Sequence, residues 1–159
     1  MSNNNAEKSM QLAIQSARMG IQAKEGGPFG ACVVKGDKVL SVAHNTVLKD
    51  NDPTCHAEMN AIRQAAKALN SFDLSGCEIY STVEPCPMCL TAIYWARIDK
   101  IIVAASSEFA AKYGWDDKEF YQQVKTPMEL RKVPCEMGLL EDESESVFKE
   151  WQALGGKLY

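Results

Sequence analysis

The sequence contains no long hydrophobic run, no excess of basic residues and no internal repeat or low-complexity segment. Its purely apolar runs end after five residues, as at 101–105, whereas a transmembrane helix needs about 20. The formal net charge is −4, which argues against the broad basic surface of many nucleic-acid-binding proteins. The polar start at residues 1–5 does not have the pattern of a signal peptide. We therefore predict a protein without a membrane segment, for which nucleic acid is not the main partner.

The length and the use of cysteine indicate a small intracellular protein. A chain of 159 residues can bury a substantial core, and we predict one domain over 1–159. Two of the six cysteines form a Cys-x-x-Cys pair, and the other four are scattered singly in apolar surroundings, as free thiols usually are. This distribution favours the reducing cytoplasm over an oxidising compartment.

Hydrophobic periodicity predicts an α/β protein. The spacing of Ala6, Met10, Ala13, Ala17 and Ile21 is the stripe of an amphipathic helix. Further helices are predicted at 55–69, 85–96 and 144–154, and strands at 31–34, 39–43, 78–83, 100–105 and 133–139. We expect the strand at 100–105 to be buried, because it is rich in β-branched residues. This order of elements predicts a mixed sheet covered by helices.

Two short motifs hold the residues best suited to chemistry. His56 and Glu58 form a His-x-Glu motif, and Cys86 and Cys89 form a Cys-x-x-Cys motif preceded by a proline. A structural zinc site uses four protein ligands, whereas a catalytic site uses three and leaves the fourth position for water. His56, Cys86 and Cys89 supply three ligands, and Glu58 supplies a carboxylate that the metal does not need. The order of these residues matches the signature of zinc-dependent base deaminases.

Each of these groups has a defined task in such a site. Cys86 and Cys89 are three residues apart at a predicted helix start, so that both face one side and the positive helix end favours thiolates. Zinc lowers the pKa of a water to about 7, and the resulting hydroxide can attack an amidine-like carbon of a purine or pyrimidine. Glu58 can collect the proton of the water and transfer it to the ring nitrogen and the departing amine. We therefore predict Glu58 as the catalytic residue and the other three as zinc ligands.

Two interpretations without catalysis compete with this one. The first is a closed structural zinc site in which Cys55 or His44 is the fourth ligand, although Cys55 adjoins His56 and neighbouring side chains on a helix do not face the same point. The second is a zinc-stabilised dimerisation module. Glu58 argues against both, because a structural site has no use for its carboxylate.

With these residues, the chain resembles the cytidine-deaminase-like superfamily and, within it, the bacterial guanine deaminases. The resemblance covers almost the whole chain and includes the motifs GGPFGA at 26–31, NDPT at 51–54, HAE at 56–58, EPCPMC at 84–89, AIYWAR at 92–97 and GWDD at 114–117. The metal motif marks only the superfamily, whereas the GGPFG loop, the two aspartates and the terminal Tyr159 favour guanine. Cys55 is a departure, since the family leads us to expect alanine there, and its thiol offers a second group that can be oxidised or bind metal.

The resemblance implies a three-layer helix/sheet/helix fold with a central five-stranded mixed sheet and one zinc ion per subunit. It also implies a homodimer in which the C-terminal segment, about 140–159, is exchanged between subunits. The substrate contacts that it implies are Asn45 on the purine ring, Phe29 against the ring face, the backbone amide of Ala57, Asp117 as an acceptor, Trp95 in the pocket wall and Tyr159 as a cap.

General chemistry supports some of these contacts. Guanine presents an N–H and an amino group side by side, and a carboxylate such as Asp117 accepts from both but rejects adenine. Asp116 is the alternative to Asp117. Asn45 can donate and accept at once, which suits a purine edge. Stacking of a base on an aromatic ring such as Phe29 contributes about 1–3 kcal/mol.

The predicted reaction is the hydrolytic deamination of guanine to xanthine, with release of ammonia. Guanosine is the nearest alternative, and a closed C-terminal cap would exclude its ribose. A tRNA adenosine deaminase shares the core motifs, but it needs a cationic surface, whereas residues 141–145 are acidic. Cytosine is a further alternative, because the same metal centre would serve it.

Overall fold

The computed structural model describes residues 3–159, and side chains from residue 5 onward. Met1 and Ser2, part of the polar start considered above, lie outside the described residues. Four strands form one sheet, in the order β2-β1-β3-β4. Strand β1 is antiparallel to β2 and β3, whereas β3 and β4 are parallel. The strands are β1 Gly30–Lys35, β2 Lys38–His44, β3 Cys77–Val83 and β4 Lys100–Ala105.

Helices cover both faces of this sheet. The helices are α1 Asn3–Gln22, α2 Val47–Asp50, α3 Ala57–Leu69, α4 Pro87–Trp95, α5 Ser107–Ala111, α6 Lys118–Lys125 and α7 Glu141–Ala153, with a 3-10 turn at Met128–Leu130. Helix α4 connects the parallel strands β3 and β4, which places its first turn at the carboxyl end of β3.

The side chains of β1 alternate between two hydrophobic clusters, as the twofold period of a strand requires. Cys32 and Val34 pack with Ala13 of α1 on one face of the sheet. Val33 packs on the other face with a cluster that includes Ile79, Ile93 and three alanines of α3, Ala57, Ala61 and Ala65. The four-residue spacing of these small side chains lets α3 lie close to the sheet. The predicted three layers, helix/sheet/helix, are confirmed.

The predicted fifth strand at 133–139 is wrong. Residues 3–159, all of which the structure describes, form four strands, and the segment 133–139 is not one of them. Alternation alone does not make a strand, because its backbone groups need a partner. Pro134 also removes one donor. Val133, Met137 and Leu139 are all exposed.

The predicted burial of 100–105 is also wrong for the single chain. Strand β4 lies at an edge of the sheet, and its residues are half-buried or exposed, with Val103 43% exposed. The hydrophobic sequence of β4 therefore exceeds what its position in one chain requires.

The chain divides into two compact units, Met1–Tyr121 and Gln122–Tyr159. The first unit contains the whole sheet and both hydrophobic clusters. The second contains the 3-10 turn and α7. Among the described residues, we find no helix that combines the length and the apolar character needed to cross a bilayer.

Candidate active site

Three metal-binding side chains meet where α3 and α4 begin. His56 is the N-cap residue of α3, and Cys86 is the N-cap residue of α4. Pro87 occupies the first turn of α4, where its missing N–H costs no hydrogen bond, and Cys89 follows in the same turn. Both cysteines therefore point toward the histidine from one helix end.

The distances between these donors fit a tetrahedral zinc site. The His56 Nδ1 lies 3.7 Å from the Cys86 Sγ and 3.6 Å from the Cys89 Sγ, and the three ligand atoms lie within 4.8 Å of one another. Zn–N bonds of about 2.0–2.1 Å and Zn–S bonds of about 2.3 Å in a tetrahedron put nitrogen and sulfur about 3.6 Å apart. Both nitrogen–sulfur distances thus fit zinc.

Neither proposed fourth ligand belongs to this group. Among the described residues, His56, Cys86 and Cys89 are the one set of three or more side chains spaced to hold a metal. The two ring nitrogens of His44 contact Ser16 and Glu25 instead. The Sγ of Cys55 accepts a hydrogen bond from Arg63 at 3.7 Å. Three protein ligands leave the fourth position open, as a catalytic site requires.

Without a metal, Cys86 is the more acidic of the two thiols, and Cys89 keeps its proton. Hydrogen bonds to Cys89 and His56 lower the pKa of Cys86 well below the usual range of a thiol. Its thiolate neighbour Cys86, followed by burial, raises the pKa of Cys89. Metal ligands must be deprotonated, so zinc binding would release the proton of Cys89.

Glu58 lies beside the three donors in a buried position. It is 6% exposed, and burial is the main reason why its pKa is raised. The Ser81 hydroxyl has two acceptors within donating distance, the Glu58 Oε1 at 3.1 Å and the Val83 carbonyl at 2.7 Å. Since a hydroxyl has one proton, Ser81 can accept from a protonated Glu58 while it donates to Val83. This arrangement suits a carboxyl group that gains and loses a proton.

A cavity of about 290 Å³ opens onto Glu58, His56 and Cys86. Its volume is at the lower end of the range for small-molecule sites. The described lining includes four carboxylates and no lysine or arginine: Glu58, Glu84, Asp116 and Asp117. Such a lining favours a ligand that donates hydrogen bonds and disfavours a phosphate.

The two aspartates of the cavity have different surroundings. The Asp116 Oδ1 accepts a hydrogen bond from the backbone N–H of Lys118 at 3.0 Å, and Asp116 is exposed. Asp117 is half-buried, and burial, followed by the negative charge of Cys86, raises its pKa. The Tyr121 hydroxyl donates to the Pro85 carbonyl at 2.6 Å, which ties α6 to the metal-binding loop. Asp117 is thus the carboxylate better placed to meet a ligand.

Asn45 and Phe29 line the other side of the cavity. Asn45 is 4% exposed, and its Oδ1 accepts hydrogen bonds from the N–H of Gly27 at 3.2 Å and of Val47 at 3.1 Å. Its Nδ2 is therefore the group that Asn45 can offer to a ligand. Phe29 packs edge-to-face on Trp115, with ring centroids 5.1 Å apart.

Residues 3–105 match the model of a protein family described as the cytidine and deoxycytidylate deaminase zinc-binding region. The match spans more than half of the chain and includes all three metal-binding side chains and Glu58. The chain belongs to this deaminase family. The family predicted from the sequence motifs is thereby confirmed.

Similar proteins extend the likeness beyond the metal-binding region. The chain is 41% identical to the guanine deaminase of Bacillus subtilis (strain 168) over 153 residues, which cover 96% of this chain and 97% of that protein. The crystal structure of guanine deaminase from Bacillus subtilis has a TM-score of 0.91 and 40% identity, with 100% and 99% of the two chains covered. A tRNA-specific adenosine deaminase from Aquifex aeolicus is 44% identical over 96 residues, which cover 60% of this chain and 63% of that protein.

The deaminase fold brings most of the predicted site residues together, but not all. Ala57 is the first residue of α3, where a backbone N–H has no acceptor within the helix. Trp95, at the end of α4, is 64% exposed and is not among the residues that line the cavity. Tyr159 ends the second unit and is 73% exposed. The roles predicted for Trp95 and Tyr159 stay predictions.

Two residues of the deaminase site do not stand out in the sequence. Ser81 looks like an ordinary strand residue, although it lies two positions after the buried Ile79 and therefore on the face that carries Glu58. Trp115 belongs to the motif GWDD, but the sequence gives no sign that it supports Phe29. The contact of Ser81 with Glu58 and the packing of Trp115 on Phe29 both depend on which segments the fold places side by side.

Proposed function

We propose that this chain hydrolyses guanine to xanthine and ammonia. Its likeness to the Bacillus subtilis enzyme extends over the full length, beyond the metal-binding region that other deaminases share. The observation that carries the choice of substrate is the half-buried Asp117 in the same cavity as Glu58, His56 and Cys86. A carboxylate there accepts hydrogen bonds from a ligand with two adjacent donors, which guanine has.

The remaining contacts follow from the orientation of each side chain. Asn45 donates from its Nδ2 to a ring nitrogen or to the carbonyl oxygen of guanine, because its Oδ1 is already hydrogen-bonded. Phe29, supported by Trp115, presents an apolar ring to the base. The N–H of Ala57 can bind the oxygen that develops charge during the reaction. Together these contacts orient the carbon that bears the amino group toward Glu58.

The reaction adds the oxygen of water to that carbon and breaks its bond to the amino nitrogen. We propose one zinc ion per subunit, which His56, Cys86 and Cys89 would hold and which would supply a water of lowered pKa. Glu58 takes a proton from the attacking water and passes it to the ring nitrogen. Glu58 then transfers a second proton from the added hydroxyl to the amine, which leaves as ammonia. Ser81 holds the carboxyl group of Glu58 through both transfers.

We also propose that the enzyme is a homodimer in the cytoplasm. In the second unit Leu139, Phe148, Leu154 and Leu158 are all more than 70% exposed, and a surface of this kind normally meets a partner. An exchange of the C-terminal segment between subunits would bury these residues and bring Tyr159 of the partner subunit to the cavity, where it would exclude a ribose. The six free cysteines are compatible with a reducing compartment.

A panel of substrates tests this function. Purified zinc-loaded protein is incubated with guanine, guanosine, adenine, cytosine and a tRNA anticodon loop, and ammonia release is measured. Guanine should give the highest kcat/KM, because the acidic cavity disfavours the phosphates of RNA. Turnover of the tRNA loop in preference to guanine would overturn the proposal. If guanosine reacts as well as guanine and removal of Leu158 and Tyr159 changes neither rate, the proposed cap is wrong.

Two matched variants test the carboxylate that recognises guanine. Asp117→Asn should lower kcat/KM by about 10- to 100-fold, because a hydrogen bond to a charged group contributes about 1.5–3 kcal/mol. Asp116→Asn should cost much less, since asparagine keeps an oxygen that can accept from Lys118. An equal loss of kcat/KM in both variants would mean that substrate binding depends on the total negative charge of the cavity and not on a specific contact with Asp117.

A further inference from the structure

Next to the cavity, but outside it, a carboxylate joins two basic side chains. The Glu25 Oε2 lies 2.8 Å from the His44 Nε2, and its Oε1 accepts from the Lys49 Nζ at 2.9 Å. The other ring nitrogen of His44 lies 3.1 Å from the Ser16 Oγ. The side chains of Glu25 and His44 are 23% and 20% exposed, so this is not a freely solvated surface pair. We call Glu25, His44 and Lys49 the Glu25 network.

The main chain of Glu25 reinforces the same connection. Its carbonyl accepts hydrogen bonds from the N–H groups of Leu48 and Lys49, both at 3.0 Å. These groups belong to the first turn of α2, where Thr46 makes no capping hydrogen bond through its side chain. Glu25 therefore serves as the cap of α2, since the first N–H groups of a helix need acceptors from outside it.

Asn45 lies between the two segments that the Glu25 network joins. Its Oδ1 bridges Gly27, two residues after Glu25, and Val47, the first residue of α2. A Cβ on Gly26 would collide with the Asn45 Oδ1, so that the loop and the carboxamide are in close contact. The orientation of Asn45 thus depends on the separation between the loop at 26–29 and α2.

We propose that Glu25 is a positioning residue for substrate binding. By joining the loop at 26–29 to the end of β2 and to α2, it keeps the Asn45 Oδ1 bound to two backbone N–H groups and the Asn45 Nδ2 directed at the cavity. Glu25 does not touch the substrate, and it acts through Asn45. This inference rests on the proposed function, because it assigns the Asn45 contact to guanine.

The test measures kcat and KM for guanine in a double-mutant cycle. Glu25→Gln removes the charge that holds His44 and Lys49, and KM should rise about tenfold, since small misplacements of binding groups are costly. The kcat should change less than about twofold, because Glu58 and the metal-binding residues lie on α3 and α4. In an Asn45→Ala background, the same change should add no further rise in KM. Glu7→Gln, the same change at an exposed position of α1, is the control and should match the wild type.

The outcomes separate this inference from the function on which it rests. If wild-type protein does not deaminate guanine, the proposed function fails. If it does, a KM of Glu25→Gln within twofold of wild type, or a tenfold rise that persists without Asn45, overturns the positioning role. Should Glu25→Gln not fold, Lys49→Met removes one partner of Glu25 at a mostly exposed position, and KM should rise more than about twofold but less than in Glu25→Gln. A KM within twofold of wild type, or a rise of the same size in the Asn45→Ala background, overturns the positioning role.

Discussion

The two compact units of this chain differ in how much of their apolar surface is buried. The unit Met1–Tyr121 buries its hydrophobic residues on both faces of the sheet and contains the complete cavity. In the unit Gln122–Tyr159, every residue is described and none is buried. Folded proteins gain most of their stability from buried apolar surface, so the first unit contains its own source of stability and the second does not.

The pattern on α7 indicates what the second unit needs. Val147, Phe148 and Trp151 fall on one side of the helix, given 100° per residue, and Leu154, its C-cap residue, continues that side, while the ion pair Glu145–Lys149 falls on the other. All four apolar side chains are more than 40% exposed. An amphipathic helix with an exposed apolar face supports the contact between subunits proposed above. In the proposed dimer, the first unit carries the proton transfer and α7 supplies a contact between subunits, so a substitution in one should leave the other largely unchanged.

The largest expected effect comes from removing the proton carrier in the first unit. Glu58→Gln keeps the shape of the side chain but cannot accept the proton of water, and kcat should fall on the order of 10³-fold, because general acid–base catalysis contributes about 10²–10⁴. Ammonia release under saturating guanine measures this loss. Zinc content and oligomeric state should equal those of the wild type.

The zinc content and the oligomeric state of Glu58→Gln are the controls that separate proton transfer from metal binding and from assembly. If the variant loses zinc, Glu58 supports the metal site and the loss of kcat says nothing of proton transfer. If it changes the oligomeric state, the chemistry and the assembly are not separable in the way that the burial pattern indicates.

A smaller effect is expected from the apolar face of α7. Phe148→Asp puts a charge on the proposed interface in both subunits, and dimer dissociation should become at least about 10²-fold more favourable, since burial of one such side chain contributes about 1.5–3 kcal/mol. Sedimentation equilibrium over a range of protein concentrations measures this change. Phe148 is 72% exposed in the single chain, so the fold of the monomer should not suffer.

The opposite side of α7 offers the matched control. Glu145→Gln disrupts an exposed ion pair of 3.0 Å and should leave dimerisation within about twofold of wild type, because such pairs contribute little. Equal dissociation in Phe148→Asp and wild type would refute the apolar face of α7 as the contact between subunits.

The same contrast between units explains what the sequence could predict. The sequence could predict that His56, Cys86, Cys89 and Glu58 lie together, because helix starts and short spacings are local features. It could predict the four strands because each packs within its own unit. The alternation at 133–139 predicted a fifth strand because sequence patterns do not say whether a pairing strand is present. The burial of β4 was overestimated for a related reason, since its hydrophobic residues lie at the edge of the sheet in a single chain.

Contacts between distant segments were not predictable. Ser81 and Glu58 are 23 positions apart, and His44 and Glu25 are 19 apart. No spacing rule links such pairs, because the sheet order determines which of them meet. His44 could therefore be considered as a fourth zinc ligand from the sequence, whereas its ring contacts Glu25 and Ser16 in the fold.

The smallest expected effect tests the Glu25 network through its dependence on pH. Hydrogen bonds from His44 and Lys49 lower the pKa of Glu25 from its ordinary value of about 4.5. The unfolded chain therefore takes up this proton at a higher pH than the folded chain, and the carboxylate stabilises the fold above about pH 4.5 but not in more acidic solution. Wild type should melt on the order of 1–2 °C above Glu25→Gln at neutral pH, since partly exposed ion pairs contribute little. This difference should shrink as pH falls from 5 to 3.5, as measured by calorimetry of both zinc-loaded proteins in parallel. A gap that stays constant or widens in acid would show that the Glu25 charge does not hold this loop.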